Sequence, residues 1–104
     1  MNTHKIYYPY VSNRVDKKYF IYTRTGKKVF FGAKGYEHFT NTKHYKSHSD
    51  TERRDAYEKR HKKNEDWNDP DSAGFWSLRF LWKYPTEMEA MKEINKFLKS
   101  RGYI

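Results

Sequence analysis

Residues 17–32 read KKYFIYTRTGKKVFFG, and this stretch decides the fold. Two runs of aromatic and β-branched residues, which are typical of strands, flank the segment Arg24-Thr25-Gly26. A three-residue connection ending in glycine is typical of a hairpin, because glycine adopts the left-handed conformation without a steric penalty. We therefore predict strands over residues 18–23 and 27–31. A two-stranded ribbon is marginal alone, so it must pack on helices or pair with a third strand.

The residues before the hairpin carry weaker patterns. Residues 5–8 favour an edge strand, and Pro9 favours a loop after it. We expect residues 1–15 to form either a flexible arm or an arm that a partner orders. The 104 residues have room for one small basic domain, 1–104.

A long segment without regular structure is predicted after the hairpin. Gly32 and Gly35 are expected to end the second strand, and residues 32–49 to form an ordered loop. Tyr36, Phe39 and Tyr45 are the side chains expected to tether this loop to the core.

Three helices are predicted in the remaining chain. Ser49 with Glu52 has capping-box spacing, so a polar, exposed helix is expected to start near Asp50 and to reach the core through Tyr57. Asp71 or Ser72 is expected to cap a second, almost wholly apolar helix, AGFWSLRFLWK (73–83), at the centre of the fold. The terminal helix is expected to start at Thr86 and stop at Gly102. The predicted fold class is α+β, with a hairpin or small antiparallel sheet in the N-terminal third packed against two to three helices.

The charge of the chain is uneven. The whole chain has 22 Lys and Arg against 13 Asp and Glu, a net charge of +9. Residues 1–35 hold eight of these cations and one acid, Asp16, which is +7; the remaining fourteen cations and twelve acids give +2. A concentrated basic surface attracts polyanions such as nucleic acid, an anionic membrane or an acidic protein. The predicted polyanion-binding residues are Lys17, Lys18, Arg24, Lys27, Lys28 and Lys34.

Catalytic and metal sites are not indicated. The chain has no cysteine, which excludes disulfides and thiolate ligands. His44 and His48 have helical spacing, but neither a third ligand nor a suitably placed carboxylate accompanies them. His61 has no nucleophile nearby in sequence, and residues 32–35 lack the length of a phosphate-binding loop. We therefore predict no catalytic residue, no metal, no cofactor and no membrane span.

The aromatic residues permit two interpretations. Rings interleaved with Lys and Arg on a sheet stack bases and neutralise phosphates in proteins that bind single strands. A chain this small also needs its rings for the core. For Trp67, Phe75, Trp76 and Trp82, buried core is favoured over the lining of a ligand pocket.

Four segments carry a resemblance to a known family. They are GAKGY (32–36), YEKRHKKNEDW (57–67), SAGFWSLRFLW (72–82) and Pro85-Thr86. Together they resemble a small protein family of unknown function found in giant and other large DNA viruses, over roughly residues 18–100. The family pattern has Thr where this chain has Ser72, and either residue caps a helix. No catalytic residue of the family is carried over.

The resemblance implies a viral protein located in the virion, and in the host cytoplasm during assembly. The expected function is that of a non-enzymatic virion structural protein, a minor capsid or cement protein that binds other viral structural proteins. The alternative is a small basic nucleic-acid-binding protein that uses the hairpin. Neither interpretation fixes the oligomeric state. The helix residues expected to contact protein partners are Arg53, Arg54, Tyr57, Arg60 and His61.

Overall fold

The structure, a computed structural model, describes residues 4–45, 47–63 and 66–104. A three-stranded antiparallel sheet of order β1-β2-β3 packs with three helices, which confirms the α+β prediction. The second helix continues as a π-helical segment, Ser77–Trp82. The other elements are β1 (Tyr10–Val11), β2 (Lys17–Tyr22), β3 (Lys28–Ala33), α1 (Thr51–His61), α2 (Ala73–Trp76) and α3 (Glu87–Ser100).

The hairpin forms as predicted, with β2 and β3 paired from Tyr22 opposite Lys28 to Lys17 opposite Ala33. Gly26 takes a φ of 89° and its N–H donates to the Thr23 carbonyl, which confirms the turn. The prediction that Gly32 ends the strand is wrong, because β3 runs on to Ala33. Gly32 keeps its place in the strand at a φ of 78°.

The core lies between one face of the sheet and the helices. Tyr19, Ile21 and Phe31 are at most 2% exposed on this inner face. The Tyr19 ring meets the Phe80 ring edge-on, with 5.3 Å between centroids. The helices contribute Phe75, Trp76, Phe80, Leu81, Ala90, Ile94 and Leu98 to the same cluster.

The described part of the N-terminal arm is packed, and its strand is not where the pattern predicted. The strand lies at Tyr10–Val11 instead of residues 5–8. Tyr7 prevents a strand there because it has a φ of 51° and is buried, 2% exposed. Its hydroxyl donates to the Asp71 carboxylate at 2.6 Å, and burial together with this bond raises the pKa of Tyr7 to about 12. Residues 4–15 are therefore part of the domain, and residues 1–3 lie outside the described residues.

The Tyr7 anchor gives a stability prediction. Tyr7→Phe is expected to lower the free energy of unfolding by about 1–2 kcal/mol, because it leaves a partly buried carboxylate without its donor. Urea denaturation measures this change. Tyr8→Phe is the matched control, since Tyr8 is 41% exposed and we expect its hydroxyl to contribute less than about 0.5 kcal/mol. Equal effects of the two variants would show that the hydroxyl bond does not anchor the arm.

The loop and α1 follow the prediction with two corrections. Phe39 is buried and Tyr45 packs on the core, but Tyr36 is 75% exposed and does not tether the loop. Asp50 is the N-cap of α1 instead of Ser49, because Ser49 has a φ of 54° and the Asp50 carboxylate accepts from the N–H groups of Glu52 and Arg53. α1 ends at His61, and residues 64–65 lie outside the described residues.

The apolar second helix and the terminal helix begin at predicted caps. The Ser72 hydroxyl accepts from the Phe75 N–H, and the Thr86 hydroxyl accepts from the Glu89 N–H. Gly102, at a φ of 79°, ends the last turn. Among the helices of the described residues, none has the length and apolar character needed to cross a bilayer.

Candidate functional site

Four aromatic side chains lie on the face of the sheet opposite the helical core. They are Tyr10, Phe20, Tyr22 and Phe30, and each is partly exposed. Because side chains alternate along a strand, Phe20 and Tyr22 point away from the buried Tyr19. Phe20 is central in this group: its ring stacks on Tyr10 at 5.7 Å and meets Phe30 at 5.3 Å between centroids. We call this group the open sheet face.

Cations lie directly over the rings of the open sheet face. The Lys28 ammonium is 4.9 Å from the Phe20 ring centroid, and the Arg14 guanidinium is 4.8 Å from that of Phe30. At these distances a cation is attracted by the ring quadrupole. The His4 ring stacks on Tyr22 at 4.1 Å, which extends the aromatic surface. The arrangement presents alternating planar and positive groups.

The predicted polyanion-binding residues do not form one patch. Arg24, Lys27 and Lys28 lie at the turn end of the hairpin, and Lys17 and Lys34 lie at the other end, roughly 17 Å away along the strands. Lys18 is buried, 4% exposed, and is not part of any exposed surface.

Sequence reasoning omitted two cations of this surface, Lys5 and Arg14. Arg14 follows β1 and covers Phe30, and Lys5 lies 5.4 Å from the Tyr8 ring centroid. Both are cations close in sequence to an aromatic-rich segment, which is the pattern that could have identified them. They were overlooked because the first strand was predicted at residues 5–8 instead of Tyr10–Val11.

A cavity of about 560 Å³ lies between α1 and the end of the sheet where β2 begins and β3 finishes. Four cationic side chains line it: Lys17, Lys18, Arg53 and Arg60. Among the described residues that line it, Glu37 is the one carboxylate, and it accepts from Arg53 at 3.3 Å. We call this space the cationic cavity.

The buried Lys18 side chain contacts the loop that follows the hairpin. Its ammonium donates to the Tyr36 carbonyl at 2.5 Å and lies 2.8 Å from Nδ1 of His38. Gly32 lies opposite Lys18 in the sheet, and a Cβ at Gly32 would be only 3.4 Å from the Lys18 Cβ. Burial lowers the pKa of Lys18, because a charged group loses its hydration inside the protein.

Two histidines of the loop that contacts this lysine have pKa values below the usual value of the side chain. Burial, the Lys18 ammonium and His48 together lower the pKa of His38 to about 4. Burial also lowers the pKa of His48, whose Nδ1 accepts from the Asp50 N–H at 2.9 Å. Sequence reasoning considered His48 only as a metal ligand beside His44 and did not single out His38, because the contact of His38 with Lys18 is long-range.

The predicted protein-contact helix is only partly available to a partner. Tyr57 is buried and stacks on Trp82 at 4.3 Å and on His61 at 4.2 Å. The Arg54 guanidinium lies 5.0 Å from the Phe39 ring centroid, so it contacts its own chain. Arg53 and Arg60 are exposed and line the cationic cavity. Whether a protein partner binds this helix stays a prediction.

The aromatic residues considered for a pocket divide between two environments. Phe75 and Trp76 are fully buried in the core, as predicted. Trp82 is partly exposed: it packs against the core and also lines the cationic cavity. Trp67 is partly exposed too, so full burial is wrong for these two residues. Across the described ranges, no three His, Asp or Glu side chains are grouped closely enough to hold a metal ion. Comparisons of the chain with family models, with curated proteins and with solved structures give no match.

Proposed function

We propose that this protein is a non-enzymatic nucleic-acid-binding protein whose open sheet face binds single strands. One observation carries the proposal: partly exposed rings and cations alternate on the face of the sheet that lies opposite the helical core. Single-strand binders combine these two elements, since rings stack on bases and cations neutralise phosphates. This function is the alternative that the sequence suggested for the hairpin.

The rings supply the part of the affinity that does not depend on salt. Stacking of a base on an aromatic side chain contributes about 1–3 kcal/mol and tolerates every base. Tyr8 and Tyr10 extend the surface from Phe20 towards the chain start, with 5.2 Å between their own ring centroids. We expect a surface of this size to hold a few successive bases with little sequence preference.

The charge of the surface favours nucleic acid over a protein partner. Lys5, Arg14 and Lys28 lie over its rings, and the nearby carboxylate of Asp16 is paired with Arg14 at 3.0 Å. The cores of protein–protein interfaces are depleted in lysine, whereas nucleic-acid interfaces are strongly positive. A phosphate backbone therefore complements this surface better than an ordinary protein does.

The predicted role as a minor capsid or cement protein stays a prediction, because it depends on the family resemblance. Mass spectrometry of purified virions, with cross-linking to neighbouring proteins, tests that role. A copy number tied to the geometry of the shell, with only weak binding to nucleic acid, would favour it over the function proposed above.

Charge reversal at the turn end of the hairpin tests the nucleic-acid proposal. Lys27→Glu combined with Lys28→Glu is expected to weaken binding of a labelled 20-nucleotide single strand by about tenfold or more at low salt. The slope of log affinity against log salt should fall by roughly 1.4, at about 0.7 for each lost phosphate contact. Fluorescence anisotropy over a salt series measures both quantities.

Two further variants make the test specific. Lys92→Glu combined with Lys96→Glu makes the same change of charge on exposed positions of α3 and should leave the slope nearly unchanged. Phe20→Leu keeps an apolar side chain but removes a stacking ring, so we expect weaker binding with an unchanged slope. Equal slopes for the two double variants would refute binding at the open sheet face.

A further inference from the structure

We propose that the cationic cavity is a second binding site, for a phosphate group carried by a small molecule, separate from the open sheet face. Its volume of about 560 Å³ falls within the range of roughly 300–1,000 Å³ that is typical of small-molecule sites. This space exceeds what a bare phosphate ion fills and leaves room for an organic part.

The charge of the lining supports an anionic ligand. Arg53 is neutralised by Glu37, its partner in an ion pair. Lys17, Lys18 and Arg60 also line the cavity, and among the described residues none of the three forms an ion pair. Three cations without an ion-pair partner around one space repel one another and attract an anion. Arg60 adds a planar fork of N–H donors, which matches the oxygens of a phosphate.

The burial of Lys18 is the second support. A buried ammonium is costly unless a charge partner compensates it. Its two hydrogen-bond partners, the Tyr36 carbonyl and the His38 imidazole, are neutral. The Tyr45 ring and the Glu37 carboxylate also attract the ammonium, but neither forms an ion pair with it. An apolar residue would fill a buried strand position at lower cost. An anion in the cavity would supply the missing charge.

The third support is a buried donor without an acceptor. Because His38 Nδ1 accepts from the Lys18 ammonium, its proton must be on Nε2. Nε2 of His38 is buried and has no acceptor among the described residues, and the same holds for Nε2 of His48. Of these two histidines, His38 lines the cavity. Buried donors are rarely left unpaired. Because Nε2 has almost no accessible surface, a phosphate oxygen would reach this N–H only with a shift of the ring towards the cavity.

The remaining lining suits the organic part of such a ligand. Tyr57 and Trp82, stacked at 4.3 Å, present aromatic carbon to the cavity, and Leu81 adds an aliphatic side chain. A site with apolar walls and a few convergent polar groups is typical of small-molecule recognition. The predicted class is therefore a phosphorylated small molecule with a ring or another compact apolar portion.

Isothermal titration calorimetry with three probes tests the site at constant ionic strength. Adenosine 5′-monophosphate is expected to bind with a stoichiometry of about one, inorganic phosphate more weakly, and adenosine without detectable heat. Lys18→Met keeps the length of the side chain and removes its charge, and we expect at least about tenfold weaker binding of the monophosphate. Arg60→Gln, at an exposed position, should weaken it similarly and provides the same test if Lys18→Met does not fold.

Controls separate this proposal from the first one. Lys92→Met, on α3, should bind the monophosphate as the unmodified protein does, and Lys27→Glu with Lys28→Glu should also keep that affinity. Lys18→Met should bind the single strand within about twofold of the unmodified protein, because Lys18 is not part of the open sheet face. In NMR spectra, the Nε2 signal of His38 should shift when the monophosphate binds.

Three results would overturn the second site. The first is monophosphate binding that is unchanged in both Lys18→Met and Arg60→Gln. The second is adenosine binding as tightly as its monophosphate, which would assign recognition to the ring. The third is loss of single-strand binding in Arg60→Gln, or in Lys18→Met that is shown to be folded, which would merge the cavity with the nucleic-acid surface.

Discussion

Lowering the pH from 6.5 to about 4 is expected to reduce the free energy of unfolding by up to about 3 kcal/mol through His38 alone. In the unfolded chain His38 takes up its proton near pH 6.5, whereas in the folded protein it does so only near pH 4, because of burial, Lys18 and His48. Between these values the unfolded state binds more protons. The stabilisation is therefore complete above pH 6.5 and is lost as the pH falls towards 4.

The variant His38→Asn isolates this contribution. The side-chain carbonyl oxygen of asparagine takes the position of His38 Nδ1, so it can still accept from the Lys18 ammonium. Unlike the imidazole, it does not titrate. Urea denaturation at steps between pH 7 and 4 should show that the variant loses less stability than the unmodified protein. The difference in their free energies of unfolding should change by about 3 kcal/mol over this range. His44→Asn, at an exposed position of the same loop, controls for the loss of an imidazole. Parallel curves for His38→Asn and the unmodified protein would contradict the assignment.

Local sequence signals predicted the parts of the fold that depend on local physics. The glycine turn at Gly26 and the caps at Ser72 and Thr86 each depend on a few neighbouring residues, and all three are present. The cap of α1 shows the limit of this reasoning. Ser49 and Asp50 are both good caps, and the choice of Asp50 follows from the left-handed conformation of Ser49, which composition does not reveal.

The cationic cavity was not predictable because its key contacts are long-range. A lysine in a strand is ordinarily expected to be exposed, but Lys18 is buried where Gly32 lies opposite it and His38 packs from a later loop. Only one part of the open sheet face could be predicted, namely that rings lie on it. Alternation put rings on both faces of the hairpin, but which face the helices cover depends on the packing of Trp76 and Phe80, far along the chain.

Gly32→Ala is expected to lower the free energy of unfolding by about 3 kcal/mol, for two reasons. A φ of 78° costs an L-residue about 1–2 kcal/mol. In addition, the new Cβ would lie 2.8 Å from Leu81 Cδ1 and 3.4 Å from the Lys18 Cβ, so the core side chain must move. Both neighbours are themselves buried, which limits how far they can relax.

Gly26→Ala is the matched control, because it separates the two causes. Gly26 has a similar φ of 89°, but a Cβ there would meet no atom within 4 Å. We expect it to cost only the conformational part, about 1–2 kcal/mol, in the same urea titration. Because Leu81→Ala removes the clashing methyl group, Gly32→Ala should cost less in a Leu81→Ala background than in the unmodified protein. The explanation would be wrong if Gly32→Ala and Gly26→Ala cost the same free energy and Gly32→Ala showed no coupling to Leu81→Ala. Close packing against β3 would then not be the reason for a glycine at position 32, and Lys18 would be buried for another reason.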